Sequence, residues 1–264
     1  MKQMRIAFAA LMVFSLFACS KPVITPGAYR LSYGDSILYL KNQASDHIIH
    51  PTEHRPGTYE GFPDGIEIDE TTGAINVSKS ETGLRYRITH TAPDGRQTRT
   101  MVVISGINYT DKFYNLSQHD TIAPPVYNAG SGALPVNGSI FDEGNLANSS
   151  GCSVATVNGR INLAETVRNG WLGNPPANDA KREIDIVYRL NDRSQRAVNK
   201  VRVKLYFYHS MATVAPDLLE TLQERESDGV FLTNQPIRPG ASVFTESVAA
   251  AAKPRPPCII IIAN

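Results

Sequence analysis

Apolar and polar residues alternate over two stretches of the chain, and this pattern predicts β-strands. In residues 84–89 and again in residues 201–208, the aliphatic and aromatic side chains at every second position are separated by arginine, lysine, threonine or tyrosine. A period of two places the first set on one face of a strand. After the first stretch, a Pro-Asp-Gly sequence at residues 93–95 is typical of a hairpin turn. Short strands with frequent turns favour a β-sandwich over a barrel with a ligand cavity.

A weak internal repeat organises these strands. Its two copies share a pair of glycines and an Ile-Asn pair at a constant offset. The matched segments are 65–77 with 151–163, 84–97 with 184–195, and 100–104 with 198–207. The second copy carries an insertion rich in Pro, Gly and Asn at residues 169–181, which is typical of an enlarged loop. The repeat therefore predicts that one β-unit occurs twice.

The first copy also resembles a known class of repeat. Residues 62–75 read F-P-D-G-I-E-I-D-E-T-T-G-A-I, which is similar to the signature of bacterial immunoglobulin-like and cadherin-like repeats. The resemblance implies an all-β chain with two such β-sandwich domains in tandem, and it implies no catalytic activity. The interdomain calcium motif of true cadherins is missing between residues 108 and 126, so the resemblance gives no support for interdomain calcium.

The segment after residue 209 lies outside the repeat. Residues 216–226 begin with proline and carry leucines on one side, which predicts a short amphipathic helix. A spacer rich in small residues and proline follows at 249–257, and then Cys258 precedes four consecutive isoleucines. Four exposed β-branched residues would associate, so we expect a terminal strand paired with a sheet. We favour an edge of the chain's own sheet, and the alternative is the sheet of a neighbouring subunit.

The N-terminal residues predict a secretory signal peptide. Lys2 and Arg5 precede an apolar run over residues 6–16 that is too short to span a membrane. Residues 16–19, Leu-Phe-Ala-Cys, resemble the lipobox of bacterial lipoproteins, and this resemblance implies cleavage before Cys19 and lipidation of its thiol. In such lipoproteins an aspartate after the cysteine favours retention in the inner membrane, and this chain has Ser20 there instead. The resemblance therefore implies delivery to the outer membrane, on either its periplasmic or its surface side. The alternative is an ordinary secretory signal with a chance cysteine.

These patterns predict a linear domain organisation. The predicted regions are a lipoprotein signal peptide at 1–18, a lipidated tether at 19–28, a first sandwich at 29–107, a linker at 108–125, a second and diverged sandwich at 126–210, and a tail with a short helix and a terminal strand at 211–264. With 264 residues and 42% hydrophobic residues, the chain can bury a sizeable core. Its formal net charge of +1 lacks the basic excess that nucleic-acid binding requires, so we expect no nucleic-acid partner.

Candidate chemistry is sparse. His47, His50 and His54 have the density of a metal site, but their spacing and the neighbouring prolines favour a solvated connector. The acidic group of residues 64–70 has oxygen ligands suited to calcium, and its alternation is equally that of a solvated strand face. Several tyrosines have aromatic faces that suit stacking on sugar rings, although β-strands also commonly contain tyrosine. These residues are Tyr29, Tyr33, Tyr39, Tyr206 and Tyr208. No nucleophile motif, phosphate loop or dinucleotide motif occurs, so we expect neither enzymatic activity nor a cofactor.

Two cysteines remain after Cys19. In an oxidising compartment, Cys152 and Cys258 can form a disulfide. The repeat aligns Cys152 with Ile66, so the alternative is that Cys152 is a small core residue.

The combined expectation is a non-enzymatic lipoprotein anchored in the outer membrane. Its immunoglobulin-like modules would serve adhesion, binding or envelope-assembly scaffolding, with the membrane as one partner and an unidentified protein or glycan as the other. Three alternatives are a glycan-binding accessory lipoprotein of a polysaccharide-uptake system, a fibre subunit that uses strand addition, and an enzyme that uses the histidine segment.

Overall fold

The chain folds mainly into β-strands arranged in several sheets, with short helices. A computed structural model describes residues 29–130, 132–227 and 255–264. The strands of the first part are β1 (Ile37–Leu38), β2 (Ile48–Ile49), β3 (Thr58–Phe62), β4 (Ile75–Asn76), β5 (Arg85–Thr91), β6 (Gln97–Ile104) and β7 (Ile107–Tyr109). The elements that follow are β8 (Lys112–Asn115), β9 (Ile122–Ala123), β10 (Pro125–Tyr127), β11 (Ile140–Phe141), α1 (Leu146–Ser150), β12 (Ile161–Asn162), α2 (Leu163–Arg168), β13 (Ala180–Arg189), β14 (Val198–Tyr208), α3 (Pro216–Ser227) and β15 (Cys258–Ile262). The predicted all-β class is therefore confirmed in its broad form.

We call the four-stranded sheet, together with the β2–β4 pair, the first module. Its strand order is β1-β6-β5-β3, with β5 antiparallel to both of its neighbours and β1 parallel to β6. The predicted turn at residues 93–95 joins β5 to β6, where the N–H of Gly95 donates to the carbonyl of Ala92 at 2.8 Å. Alternate residues of β5 and β6 face a single core, and Tyr86, Ile88 and Ile104 at its centre are fully buried. The alternating pattern thus gave the correct strands.

We call the five-stranded sheet, together with the β9–β12 and β7–β10 pairs, the second module. Its strand order is β11-β13-β14-β15-β8. β13 and β14 form an antiparallel hairpin over ten residue pairs, whereas β15 runs parallel to both β14 and β8. An inner cluster that includes Val203, Leu205 and Trp171 covers one face of the sheet. On the other face, Tyr206, Tyr208 and residues of α3 form an outer cluster.

Residues 108–125 belong to the second module. They were predicted to be a linker, but they lie in β7, β8, β9 and the start of β10. Tyr109, Tyr114 and Ala123 from this segment are buried in the inner cluster. Its strands are only two to four residues long, which is too short for a clear period of apolar positions, so the segment reads as a connector in the sequence.

The predicted repeat is confirmed by equivalent backbone pairing in the two modules. Ile68 pairs with Ile75 in the first module, and Val154 pairs with Ile161 at the same repeat positions in the second. The short strand pairs also correspond, because β4 pairs with β2 as β12 pairs with β9. The repeated segment is therefore a structural unit and not only a similarity of letters.

The turn inside this unit has the same backbone geometry in both copies. Gly73 and Gly159 both adopt a φ of 71°, in the left-handed region that favours glycine. Their N–H groups donate to the carbonyls of Asp69 and Ala155 at 2.8 Å in each case. The turn predicted at Thr72 and Gly73 is thus confirmed, and it has an exact counterpart in the second module.

Side-chain hydrogen bonds repeat as well. The hydroxyls of Ser80 and Thr166 each accept from the backbone N–H thirteen residues earlier and donate to the carbonyl four residues earlier. The hydroxyls of Tyr33 and Tyr109 donate to the carbonyls of the two turn glycines. These bonds satisfy buried polar groups of the turn, so both modules share one internal framework.

The helices are short. α3 matches the helix predicted at 216–226, with Leu218 buried and Leu219 exposed. None of the helices formed by the described residues has the length and apolar character needed to cross a bilayer.

Candidate functional site

The position of β15 distinguishes the two modules. In the first module, β1 pairs directly with β6 in parallel. β1 is the first strand before the repeated turn of its module, and β6 is the second strand of the hairpin after that turn. The strands in the same places of the second module are β8 and β14, and these do not pair with each other. β15 lies between them and pairs in parallel with both. The second module therefore contains a position for one additional strand, which we call the acceptor slit.

The acceptor slit is apolar on both sides. Every residue of β15 is at most 3% exposed. Ile259 and Ile261 pack in the inner cluster, while Cys258, Ile260 and Ile262 pack in the outer cluster. A strand that is covered on both faces needs a continuous apolar run, in contrast to the alternating pattern of a half-exposed strand. The four consecutive isoleucines follow from this position, and the strand is central, not at the edge where we expected it.

Two carboxylates receive the segment that leads into β15. Pro256 and Pro257 have no N–H group, so Arg255 and Cys258 supply the backbone donors of this segment. The N–H of Arg255 donates to Oε2 of Glu81, and the N–H of Cys258 donates to Oδ1 of Asp111, both at 2.6 Å. Both distances are short for N–H···O hydrogen bonds. The two prolines therefore leave two donors, and each has a carboxylate partner.

The proline carbonyls also have partners. The carbonyl of Pro257 accepts from the N–H of Lys204 at 3.0 Å, which extends the ladder between β14 and β15. The carbonyl of Pro256 accepts from Nη1 of Arg225 at 3.2 Å. This part of the chain is thus held through its backbone, in the manner of a bound extended peptide.

A buried ion pair joins α3 to the same place. Nη1 of Arg225 lies 3.1 Å and 3.2 Å from the two carboxylate oxygens of Asp111, and 3.3 Å from Sγ of Cys258. The side chains of Arg225 and Asp111 are only 17% and 7% exposed. Breaking a buried pair by removing one partner leaves an uncompensated charge. Arg225 thereby fixes the helix, the carboxylate and the start of β15 to one another.

Glu81 connects this site to the first module. Glu81 as a whole is partly exposed, but its carboxylate is buried. This burial raises the pKa of Glu81 to about 7. Nδ2 of Asn108 donates to Oε1 of Glu81 at 2.8 Å and to the carbonyl of Thr82 at 2.9 Å. A side chain from the loop between β4 and β5 therefore holds the segment that enters the second module.

Further buried hydrogen bonds join the modules. The hydroxyls of Thr82 and Tyr188 lie 2.8 Å apart, and the hydroxyl of Thr82 donates to the carbonyl of Ile107 at 3.0 Å. Within the second module, the hydroxyl of Tyr188 also accepts from the N–H of Ile107 at 3.3 Å. At the surface, Arg193 forms an ion pair with Asp35 at 3.0 Å. Because Thr82 and Tyr188 are buried, loss of either hydroxyl would leave an unsatisfied polar group.

A polar cavity of about 370 Å³ lies beside the start of β15, between α3 and the outer face of the sheet. Lys181, Lys204, Asp179 and Asp217 line it together with Cys258. Burial raises the pKa of the Cys258 thiol, so this group stays neutral and is a weak nucleophile near neutral pH. Arg225 also lines the cavity, so its wall carries three basic and two acidic side chains beside an unactivated thiol.

The cysteines are not brought together. Cys19 lies outside the described residues. Cys152 and Cys258 are free thiols, with Cys152 in the inner cluster and Cys258 in the outer cluster. The five-stranded sheet separates these two clusters. Burial raises the pKa of Cys152 to about 12, which fits the alternative role of a small core residue.

The histidines and acidic residues also do not converge on a metal site within the described parts of the chain. His47 is buried, and the ring of His54 stacks on Tyr59 with centroids 6.1 Å apart. Oδ1 of Asp69 accepts from both the N–H and the hydroxyl of Thr72, at 2.7 Å and 2.9 Å. These hydrogen bonds lower the pKa of Asp69 and close the repeated turn.

The tyrosines considered for sugar binding occupy several environments. Tyr33 and Tyr208 are buried in the cores, and Tyr206 is buried beneath α3. Tyr39 carries the guanidinium of Arg193 over its ring at 5.0 Å. These four rings are engaged in packing and cation–π contacts within the chain.

Comparison with known family models and with curated proteins finds no match to this chain. Sequence reasoning also missed Glu81, Asp111 and Arg225, which stand far apart in the sequence and meet only in the folded protein. One local signal was present, because an unbroken apolar run after two prolines indicates a strand that is buried on both faces.

Proposed function

We propose that this chain is a non-enzymatic lipoprotein, anchored in the outer membrane, whose two related modules form a scaffold for adhesion, binding or envelope assembly. One observation carries the proposal: both modules repeat the same turn framework. The buried hydrogen bonds that join them add to it. Duplicated β-units that are fixed to each other suit a protein that holds a surface at a distance from a membrane.

In this proposal each module is an immunoglobulin-like or cadherin-like β-sandwich. The resemblance at residues 62–75 supports it, because these residues surround the turn that recurs in the second module. Such folds serve many unrelated functions, so the function must come from the surfaces that they present. The partner in this proposal is a protein or glycan of the cell envelope.

The contacts between the modules support a rigid scaffold. The buried hydrogen bond between Thr82 and Tyr188 and the bond between Glu81 and Arg255 link the two modules. Rotation of one module relative to the other would leave these groups unsatisfied in the interior. A scaffold with these links would transmit its orientation from the anchor to the distal surface.

The proposed anchor is the lipidated thiol of Cys19. Each buried methylene contributes about 0.8 kcal/mol, so two or three acyl chains would hold the protein at the membrane without a spanning helix. A serine at this position would lose the acyl chains while retaining the apolar signal segment.

The test combines fractionation with a binding screen. We expect the wild-type chain in the outer-membrane fraction and the Cys19→Ser variant in the soluble or secreted fraction, with Cys152→Ser as the matched control that stays membrane-bound. The released variant, screened against envelope glycans and envelope proteins, should bind a partner without converting it. Retention of Cys19→Ser in washed outer membranes, or chemical turnover of a screened compound, would contradict the proposal.

A further inference from the structure

We propose that the acceptor slit also binds residues 255–262 from a second copy of this chain, so that copies of the protein are joined by strand exchange. The slit lies between β8 and β14, where the first module has a direct pairing of the equivalent strands. This inference goes beyond the scaffold proposed above, because it identifies an interaction surface and the segment that occupies it.

The slit recognises its strand through features that do not depend on which copy supplies it. The strand pairs with β8 and β14 along its length, and its side chains fill both clusters. Glu81 and Asp111 bind the two backbone N–H groups beside the prolines. A strand from a second copy would form the same hydrogen bonds and bury the same side chains, so the bound state has the same local contacts.

The chain connection allows both arrangements. Arg225, near the end of α3, already contacts Pro256 and Cys258. Nevertheless, 27 residues (228–254) separate Ser227 from Arg255 in the sequence. A chain of that length can span at most about 90 Å when fully extended. The connection is therefore much longer than the gap it must bridge and long enough to reach a neighbouring copy.

Concentration decides between the two arrangements. A strand tethered to its own module has a high effective concentration at its own slit, in the millimolar range for short flexible tethers in general and lower for longer ones. Exchange therefore becomes competitive when copies are crowded, as they would be for proteins anchored in one membrane. Because β15 is central and buried on both faces, exchange should occur while the second module folds and should persist after dilution.

A cysteine trap can distinguish the arrangements. Lys204 is the register partner of Cys258 across the parallel β14–β15 pair. Neighbouring strands lie about 4.8 Å apart, which is within the Cα separations that disulfides span. An acceptor chain carries Lys204→Cys and Cys258→Ser, and a donor chain of different tag size keeps Lys204 and Cys258. All chains carry Cys19→Ser, and they are refolded together before oxidation with diamide, which takes up the two electrons and two protons released by the thiols.

The expected result is a reducible dimer of one acceptor and one donor, with a yield that rises at least several-fold from micromolar to near-millimolar protein. Lys200→Cys replaces Lys204→Cys in the matched control, because residue 200 lies on the same strand but before the pairing with β15 begins. This control should give no mixed dimer. A second control carries Lys204→Cys and the native Cys258 in one chain. Formation of its internal disulfide shows that the pair can react, and the yield of this disulfide measures the fraction of chains whose β15 occupies their own slit. If that chain forms its internal disulfide while no mixed dimer appears at any concentration, the proposal is wrong.

Discussion

The equivalent turns of the two modules allow a matched test of the packing. Gly73 and Gly159 have the same φ of 71°, and a Cβ added at either residue would lie against a buried aromatic ring. The added atom would be 2.6 Å from Cδ1 of Tyr59 in the first module and 2.8 Å from Cδ1 of Phe141 in the second. Gly95 has a similar φ of 83°, but nothing lies within 4 Å of its Cβ position. Alanine at these three positions therefore separates the backbone effect from the ring contact.

The magnitudes follow from these two effects. A left-handed backbone costs an ordinary residue roughly 1–2 kcal/mol, partly offset by the lower entropy of the unfolded chain. We expect Gly95→Ala to lower the free energy of unfolding by about 1 kcal/mol. Displacing a buried ring adds roughly 1–3 kcal/mol, so Gly73→Ala and Gly159→Ala should each lose about 2–4 kcal/mol.

Urea denaturation followed by circular dichroism and by fluorescence measures these losses. The single tryptophan, Trp171, lies in the inner cluster, so fluorescence reports on the second module in particular. In a double-mutant cycle, Phe141→Leu should reduce the cost of Gly159→Ala, because the ring that the new Cβ meets is removed. If Gly73→Ala and Gly159→Ala cost no more than Gly95→Ala, the argument from the buried rings is refuted. A large loss in one module only would refute the equivalence of the turns.

Three further perturbations test the core, the junction and the buried carboxylate. Ile261→Ala, at a fully buried position in β15, should cost about 2–5 kcal/mol in urea denaturation, whereas Ile48→Ala at a residue that is 49% exposed should cost about 1 kcal/mol or less. Thr82→Val should cost about 1–3 kcal/mol and should show coupling with Tyr188→Phe in a double-mutant cycle, and additive losses would exclude the shared hydrogen bond. The pKa of Glu81 is raised to about 7 in the folded protein, so protonation favours the folded state: the contribution of Glu81 is fully present below its ordinary pKa of 4.5 and is lost as the pH rises through 7. The stability of the wild type should therefore fall by about 3 kcal/mol between these pH values relative to Glu81→Gln, and parallel pH profiles of the two proteins would contradict this reasoning.

Local sequence patterns were sufficient to predict those strands and turns whose structure depends on neighbouring residues in the chain. The alternation in residues 84–89 and the turn at 93–95 gave the β5–β6 hairpin, because one face of this strand pair is buried and the turn requires a positive φ at Gly95. The repeat was visible because its turn needs a glycine and its strands need branched apolar residues at fixed positions. The all-β class and the duplicated turn were therefore predictable from the sequence.

The site at β15 was not predictable in the same way. Glu81 comes from a loop, Asp111 from the residue just before β8, and Arg225 from α3, and none of them lies in a local motif. Their roles depend on which strands become neighbours, and residue spacing does not encode that. The segment at 108–125 illustrates the same limit, because β8 and β9 each contribute a single buried residue, which is too few to show a period.

The additional strand also explains why α3 packs on the second module. In the first module β1 closes the sheet against β6, whereas in the second module β15 separates the equivalent strands and widens the sheet by one strand. The wider sheet has additional apolar surface on its outer face, where Ile260 and Ile262 lie beside Tyr206. Leu218 of α3 covers this surface, and Arg225 from the same helix pairs with the carboxylate that binds the start of β15. The helix and the strand are therefore required together, since the strand creates the apolar face and the helix removes it from water.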